Sequence, residues 1–137
     1  MQISRGKASP SDSQISSCVF VGRDGTLYVA DTLGNRIASI PKELLRFNTG
    51  GTGSTVSSGG GLNGPLGLAI APNGNILAVN SGDGNLVEMT PAGMQFPPKS
   101  IDTSGQGAGT LFGLAVSHNG QGVYFVDDGD NTLDVLH

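Results

Sequence analysis

The sequence predicts an all-β fold built from three copies of one antiparallel sheet, and three observations predict it. Glycine supplies 23 of the 137 residues while charged residues supply only 13%, a composition typical of disorder or of many tight turns between short strands. Short apolar runs recur along the chain at a regular spacing, which favours the folded alternative. An Asp-Gly or Asn-Gly pair follows these runs, and such pairs are strong hairpin signals.

A repeat sets the order of these strands. The turn glycines Gly25, Gly74 and Gly120 are 49 and 46 residues apart, a period typical of propeller blades. Each glycine is expected where φ is positive or the turn is tight. The third copy has one extra residue between Gly120 and Val123, which predicts a bulge or a longer turn.

A polar turn and a third strand follow each hairpin. The second strand ends at an Asp or Asn, and a turn of small polar residues then leads to an asparagine. The repeated positions are Asp31, Asn80 and Asp127 at the strand ends, and Asn35, Asn85 and Asn131 after the turns. This alignment makes the turn of the second copy one residue longer than the turn of the first copy.

The remaining strands and the core follow from the same alignment. Third strands are predicted at residues 36–40, 86–89 and 132–136, and fourth strands within residues 54–57 and 99–102. The mostly apolar first runs predict strands that are buried on both faces. The core is expected to contain Leu27, Val29, Ile70, Leu77, Val79, Leu114, Val116, Phe125 and Val126.

The first copy resembles the NHL repeat, one member of the six-bladed propeller superfamily. It has the hairpin of residues 24–31 followed by a short turn and Asn35-Arg36-Ile37. The other copies depart from this pattern, with Leu86 and Thr132 in place of the arginine. The resemblance covers residues 15–137 and implies a β-propeller segment of three blades, each with three or four antiparallel strands. A WD40 repeat is disfavoured because the chain contains no Trp.

The repeat divides the chain into blades at residues 15–62, 63–108 and 109–137, of which the last lacks its own fourth strand. Residues 1–14 are a candidate for an exchanged outer strand. Closed propellers have four to eight blades, so three blades leave two apolar faces and unpaired strand edges exposed. A head-to-tail homodimer would complete one six-bladed ring.

Charge agrees with the pairing of unlike ends. Residues 1–48 carry six basic and four acidic residues, a net charge of +2. Residues 109–137 carry four aspartates and no Lys or Arg, a net charge of −4. Complementary charge favours contact between unlike ends, although exposed pairs contribute modestly.

The repeated Asx residues have two interpretations. Carboxylate and amide oxygens at Asp31, Asn80 and Asp127 could ligate Ca²⁺. The same side chains also cap turns, and their spacing is that of the fold itself, so capping is favoured. The acidic stretch 127–131 lacks the EF-hand spacing and is interpreted as a solvated turn.

Other candidate sites are weaker. His118 and His137 have no paired Cys or Glu at metal-ligand spacing and are expected on the surface. The glycine runs at residues 59–61 and 105–109 lack the strand-glycine-helix order of a phosphate loop and are interpreted as connectors. A helical turn is predicted at residues 41–46, where Pro suits the first position. No catalytic, cofactor or metal residue is predicted.

Composition argues against several classes of function. The net charge is −4 and the seven basic residues form no run, which disfavours nucleic acid as a partner. No apolar stretch reaches the roughly 18 residues of a membrane span, and residues 1–14 lack the apolar region of a signal peptide. Cys18 is the only cysteine, so it cannot form an intrachain disulfide, and it is expected to be a small buried residue.

Two functions remain. Clean repeats, low charge and the lack of a catalytic constellation favour a non-enzymatic binding or scaffold module whose ligand the sequence does not identify. The alternative, implied by the resemblance, is a fragment of a propeller enzyme similar to streptogramin lyase or gluconolactonase. The resemblance also implies a bacterial secreted or cell-envelope parent protein, and a divalent metal on the axis would favour the enzyme.

Overall fold

The computed structural model describes residues 18–41, 53–102 and 111–137, and these form β-strands and no helix. The strands are β1 (Val19–Val21), β2 (Leu27–Asp31), β3 (Arg36–Ile40), β4 (Ser54–Ser58), β5 (Pro65–Ile70), β6 (Ile76–Asn80), β7 (Asn85–Met89), β8 (Lys99–Ser100), β9 (Leu111–Val116), β10 (Val123–Asp127) and β11 (Thr132–Leu136). No described segment is a helix long and apolar enough to cross a membrane. The candidate exchanged strand, residues 1–14, and most of the expected helical turn lie outside the described residues.

The strands form three antiparallel sheets in chain order, as predicted. Sheet A has the order β1-β2-β3-β4, sheet B has the order β5-β6-β7-β8, and sheet C has the order β9-β10-β11. Both expected fourth strands are present, as β4 and the two-residue β8. The first strands lie side by side, since β5 contacts both β1 and β9.

The hairpin turns have the geometry that their sequences predict. Gly25, Gly74 and Gly120 have φ values of 79°, 87° and 70°, a region that glycine adopts without the steric cost of a Cβ. The extra residue of the third copy lies in the turn, because the N–H of Ser117 donates to the carbonyl of Gly122 at 2.8 Å. The longer turn is therefore confirmed.

The second turn corrects the predicted alignment. Three pairs hold equivalent places in the sheets, Ala30 with Ile37, Val79 with Leu86, and Val126 with Leu133. The turn therefore has the same length in every copy, and the prediction that Asn85 matches Asn35 and Asn131 is wrong. Gly84 holds that position, with φ at 69° beside 48° for Asn35 and 55° for Asn131. Gly and Asn interchange there because both tolerate the left-handed region, whereas Asn85 begins β7.

Two layers of apolar side chains join the sheets. Between sheets A and B, Ala30 and Ile37 pack with a group on sheet B that includes Leu68, Ile76 and Met89. The B–C layer is formed by Leu77, Val79, Leu86, Ile101, Leu111 and Phe125. Sheet B is thus buried on both faces, and its strand β6 is buried along its whole length.

The end sheets are covered on one face only by the described residues, and this corrects part of the expected core. Leu77, Val79 and Phe125 are buried as predicted. Val126 is 39% exposed, because it points away from sheet B. The other expected core residues are half-buried, namely Leu27, Val29, Ile70, Leu114 and Val116. Cys18 is also half-buried rather than buried.

Candidate functional site

Asp31 caps the second turn of sheet A. Its Oδ1 accepts the N–H of Gly34 at 2.8 Å, and its Oδ2 accepts Nε of Arg36 at 2.9 Å. The Arg36 hydrogen bond and the Gly34 N–H lower the pKa of the Asp31 carboxyl below its model-peptide value of 3.8. Both carboxylate oxygens are therefore engaged inside the turn, as the capping interpretation predicts.

Asp127 also caps its turn, whereas Asn80 acts differently. Oδ1 of Asp127 accepts the N–H of Gly129 at 2.9 Å, which is a local cap. Asn80 is fully buried, and its Nδ2 donates to the carbonyl of Gly61 at 2.8 Å and to Oδ1 of Asp83 at 3.0 Å. In sheet B the capping therefore passes to Asp83, whose Oδ1 also accepts the N–H of Asn85.

Asn35 links two sheets, which the sequence did not reveal. Its Nδ2 donates to the carbonyl of Leu62 at 3.0 Å, and its Oδ1 accepts the N–H of Gly64 at 2.9 Å. The left-handed backbone of Asn35 aims the amide toward the start of sheet B. The signal in the sequence was Asn in a left-handed turn position, but nothing local identifies its distant partners.

The remaining sequence candidates lie at the surface or in connectors. Residues 128–131 form an exposed turn, and His118 and His137 are exposed. Gly59 and Gly60 connect β4 to β5, a strand rather than the helix that a phosphate loop needs. The run at residues 105–109 lies outside the described residues. In the three described segments, no group of three or more His, Cys, Asp or Glu side chains is placed to hold a metal ion.

A groove of about 430 Å³ lies where the first strands of the three sheets reach their hairpin turns. We call it the first-strand groove. Its lining is drawn from all three sheets and includes the apolar residues Phe20, Ile70, Pro72, Leu114 and Val116. This arrangement follows from the contacts of β5 with β1 and β9, which place the first strands side by side.

Two hydrogen-bond donors, one of them a guanidinium, stand at the edge of the first-strand groove. Arg23 and His118 both line it and both are exposed. They hold equivalent turn positions, two residues before Gly25 and Gly120, and Pro72 holds the same position before Gly74. The repeat aligned these positions in the sequence, but only the packing of the sheets shows that they border one groove.

A second groove, of about 530 Å³, lies between sheets B and C. Its apolar lining includes Leu86, Phe96 and Leu136, and its charged lining is Glu88 and Lys99. Oε1 of Glu88 is engaged by the side chains of Asn73 and Asn75. This groove draws on two sheets, whereas the first-strand groove draws on three.

Known structures share this architecture. The chain superposes on a catalytically inactive variant of virginiamycin B lyase from Staphylococcus aureus, crystallised with quinupristin, with a TM-score of 0.68 and 15% identity over 92% of this chain. A streptogramin B lyase gives a TM-score of 0.64 and 14% identity over 86% of this chain. The WD40 β-propeller domain of Doa1 gives 0.60 and 16% identity over 86%.

These similarities establish the fold. The chain spans 42%, 39% and 35% of the length of those three proteins. No protein-family model matches the sequence, and no curated protein sequence matches it. The three antiparallel sheets and their structural neighbours show that the chain folds as a segment of a β-propeller.

Proposed function

We propose that the chain is a non-enzymatic binding module of NHL-like blades, with the first-strand groove as its ligand site. The observation that carries the proposal is the lining of this groove, where apolar side chains of three sheets adjoin the exposed guanidinium of Arg23. Ligand sites in proteins are concave and mostly apolar, with a few polar groups that orient the ligand. The Asp31–Arg36 ion pair supports the NHL-like interpretation, because it joins two residues of the first copy's repeat pattern.

The chemistry of the groove favours an amphipathic ligand with one anionic group. Phe20, Ile70 and Leu114 offer apolar surface to the body of such a ligand. Arg23 offers a planar set of donors that suits a carboxylate, sulfonate or phosphate group. His118 stands at the same edge and adds a further donor.

A pair of fluorescent probes tests this chemistry. The anionic probe 8-anilinonaphthalene-1-sulfonate and its uncharged analogue N-phenyl-1-naphthylamine carry the same apolar rings. The substitution Arg23→Gln is expected to weaken binding of the anionic probe by about two- to fivefold, the range for an exposed ion pair. It is expected to leave binding of the neutral probe unchanged.

The matched control is Lys99→Gln, which removes one exposed positive charge from the second groove instead. It should leave the affinity of both probes unchanged. Equal loss of both probes in Arg23→Gln, or no loss of either, would contradict the proposed site. Binding of either probe to the exposed sheet faces would not depend on Arg23, which lies at the groove. Such binding therefore does not produce a loss that is selective for the anionic probe.

A lyase is the second candidate, and the superposition on two lyase structures favours it. The chain spans about two fifths of their length, so this activity is a proposal and not a consequence of the fold. Incubation of the chain with quinupristin, followed by mass spectrometry, separates the candidates. A product that accumulates with time supports the lyase, whereas binding of quinupristin without turnover supports the binding module.

A further inference from the structure

We propose that the uncovered face of sheet C packs on the uncovered face of sheet A in a second copy of this chain, so that two copies close one ring. This association does not depend on the ligand proposed for the first-strand groove. It is argued from the two contacts between sheets that the chain already contains, because the uncovered faces hold the same repeat positions as the buried ones.

The uncovered face of sheet A matches the face of sheet B that packs on sheet A. Val19 and Leu68 hold equivalent positions, since each pairs with the corresponding residue of the second strand. Leu68 is 2% exposed in the A–B layer, whereas Val19 is 57% exposed. Val21 is exposed too, while Leu27, Val29 and Ile40 on the same face are half-buried. The equivalent residues on sheet B are Ile76, Ala78 and Met89, which are buried in the A–B layer, and Ile70, which is half-buried against it.

The uncovered face of sheet C matches the face of sheet B that packs on sheet C. Val126 is equivalent to Val79, and Leu133 to Leu86, by their places in the strand registers. Val79 and Leu86 are buried in the B–C layer, but Leu133 is 69% exposed. Further exposed apolar side chains on this face are Tyr124 and Val135. The uncovered faces of sheets A and C therefore carry the two sets of repeat positions that pack against each other in the A–B and B–C layers.

A glycine marks where another strand would approach sheet C. A Cβ at Gly67 would collide with the carbonyl oxygen of Phe112, because sheet C comes that close to sheet B. Gly113 holds the equivalent position in sheet C, and a Cβ there would meet only Val126 of its own sheet. Glycine inside a strand often marks close approach of another backbone, so Gly113 leaves room for one at this face.

Charge and geometry identify the occupant as a second copy. Residues 109–137 carry four aspartates and no Lys or Arg, which disfavours contact between two C sheets. Three blades are fewer than the four to eight of closed propellers, and two copies give six. A twofold axis uses the same contact twice and leaves no uncovered end face, so the assembly closes and does not extend into fibres.

The mass of the full chain in solution tests this pairing. Light scattering coupled to size-exclusion chromatography at micromolar concentration is expected to give about twice the chain mass of 13.8 kDa. A dilution series should show reversible dissociation to single chains. A single-chain mass across the series, a trimer or an open polymer would overturn the two-copy ring.

Two substitutions test whether the contact between copies joins sheet A to sheet C or joins two copies of the same sheet. Val19→Asp on sheet A and Leu133→Asp on sheet C should each give single chains, because each places an unpaired carboxylate in the contact. Both side chains are exposed within one chain, so the β-sheet circular dichroism spectrum should persist. The control is Met94→Asp, which is 61% exposed in the connection between β7 and β8 and should remain a dimer.

The pattern of outcomes is decisive. If only Leu133→Asp or only Val19→Asp dissociates, the contact joins like faces and the proposal is wrong. Dissociation of the Met94→Asp control would equally contradict it, because that residue belongs to neither sheet A nor sheet C. Should a variant fail to fold, the dilution series on the unaltered chain still decides between a two-copy ring and a single chain.

Discussion

Oδ1 of Asn35 accepts the backbone N–H of Gly64 at 2.9 Å, and this bond joins the second turn of sheet A to the start of sheet B. The same amide donates to the carbonyl of Leu62. One side chain thus satisfies two backbone groups of the next sheet while its own backbone holds a left-handed turn.

Substitution of Asn35 separates these two roles. Asn35→Gly keeps the left-handed turn but removes both hydrogen bonds, and it should cost about 1–3 kcal/mol of unfolding free energy. Asn35→Ala should cost about 1 kcal/mol more, because Ala disfavours positive φ. Urea denaturation measures both. The control is Asn131→Gly, at a φ of 55° in an exposed turn, which should change stability by less than about 0.5 kcal/mol.

Close approach of sheets B and C at Gly67 leads to a second expectation. Gly67→Ala should destabilise the fold by about 1–3 kcal/mol, as overpacking does, because its Cβ would meet the Phe112 carbonyl and the Val79 side chain. Thermal unfolding in the Leu133→Asp background removes any contribution from association. In that background, the Cβ of Gly113→Ala would lie 3.2 Å from Cγ2 of Val126, and the substitution should cost less unfolding free energy. An equal cost would mean that sheets B and C do not approach closely at Gly67.

The Asp31–Arg36 pair makes stability depend on pH. Because the folded pKa of Asp31 is lowered, its ionised form stabilises the fold above 3.8, and the contribution is lost as pH falls through the folded pKa. A double-mutant cycle of Asp31→Asn and Arg36→Gln should give a coupling of about 0.5 kcal/mol at pH 7, as for an exposed pair. The coupling should shrink below pH 3.8, and an unchanged value there would exclude the ion pair.

Burial at the A–B layer sets the cost of truncation. Ile37 is fully buried, so Ile37→Ala should cost about 2–5 kcal/mol. Leu33 is 72% exposed in a turn of the same sheet, so Leu33→Ala should change stability by less than about 0.5 kcal/mol. Denaturant midpoints compare the two. Similar losses would mean that sheets A and B do not pack through Ile37.

Local chemistry explains what the sequence predicted well. The hairpins, their glycines and the fourth strands depend on turn signals and apolar runs within a few residues of each other. The longer third turn also follows locally, from one inserted residue before Val123. Because each of the three copies repeats these features at equivalent positions, together they predict a propeller.

Packing between sheets explains what the sequence did not predict. Val126 belongs to an apolar run, but its burial depends on whether another sheet covers its face. Asn85 was aligned by residue type, although the register depends on turn length and on Gly84 accepting the left-handed region. The first-strand groove joins Arg23 and His118 from opposite ends of the chain, so no local pattern identifies it.

The pairing of unlike faces is tested most directly by photo-crosslinking from position 133. The photoreactive residue p-benzoylphenylalanine would replace Leu133, which is 69% exposed within one chain. Irradiation should yield a two-chain product, and mass spectrometry should locate the crosslink within residues 18–41 of the second copy. A crosslink to residues 111–137 of the second copy, or the absence of a two-chain product, would contradict the assembly proposed here.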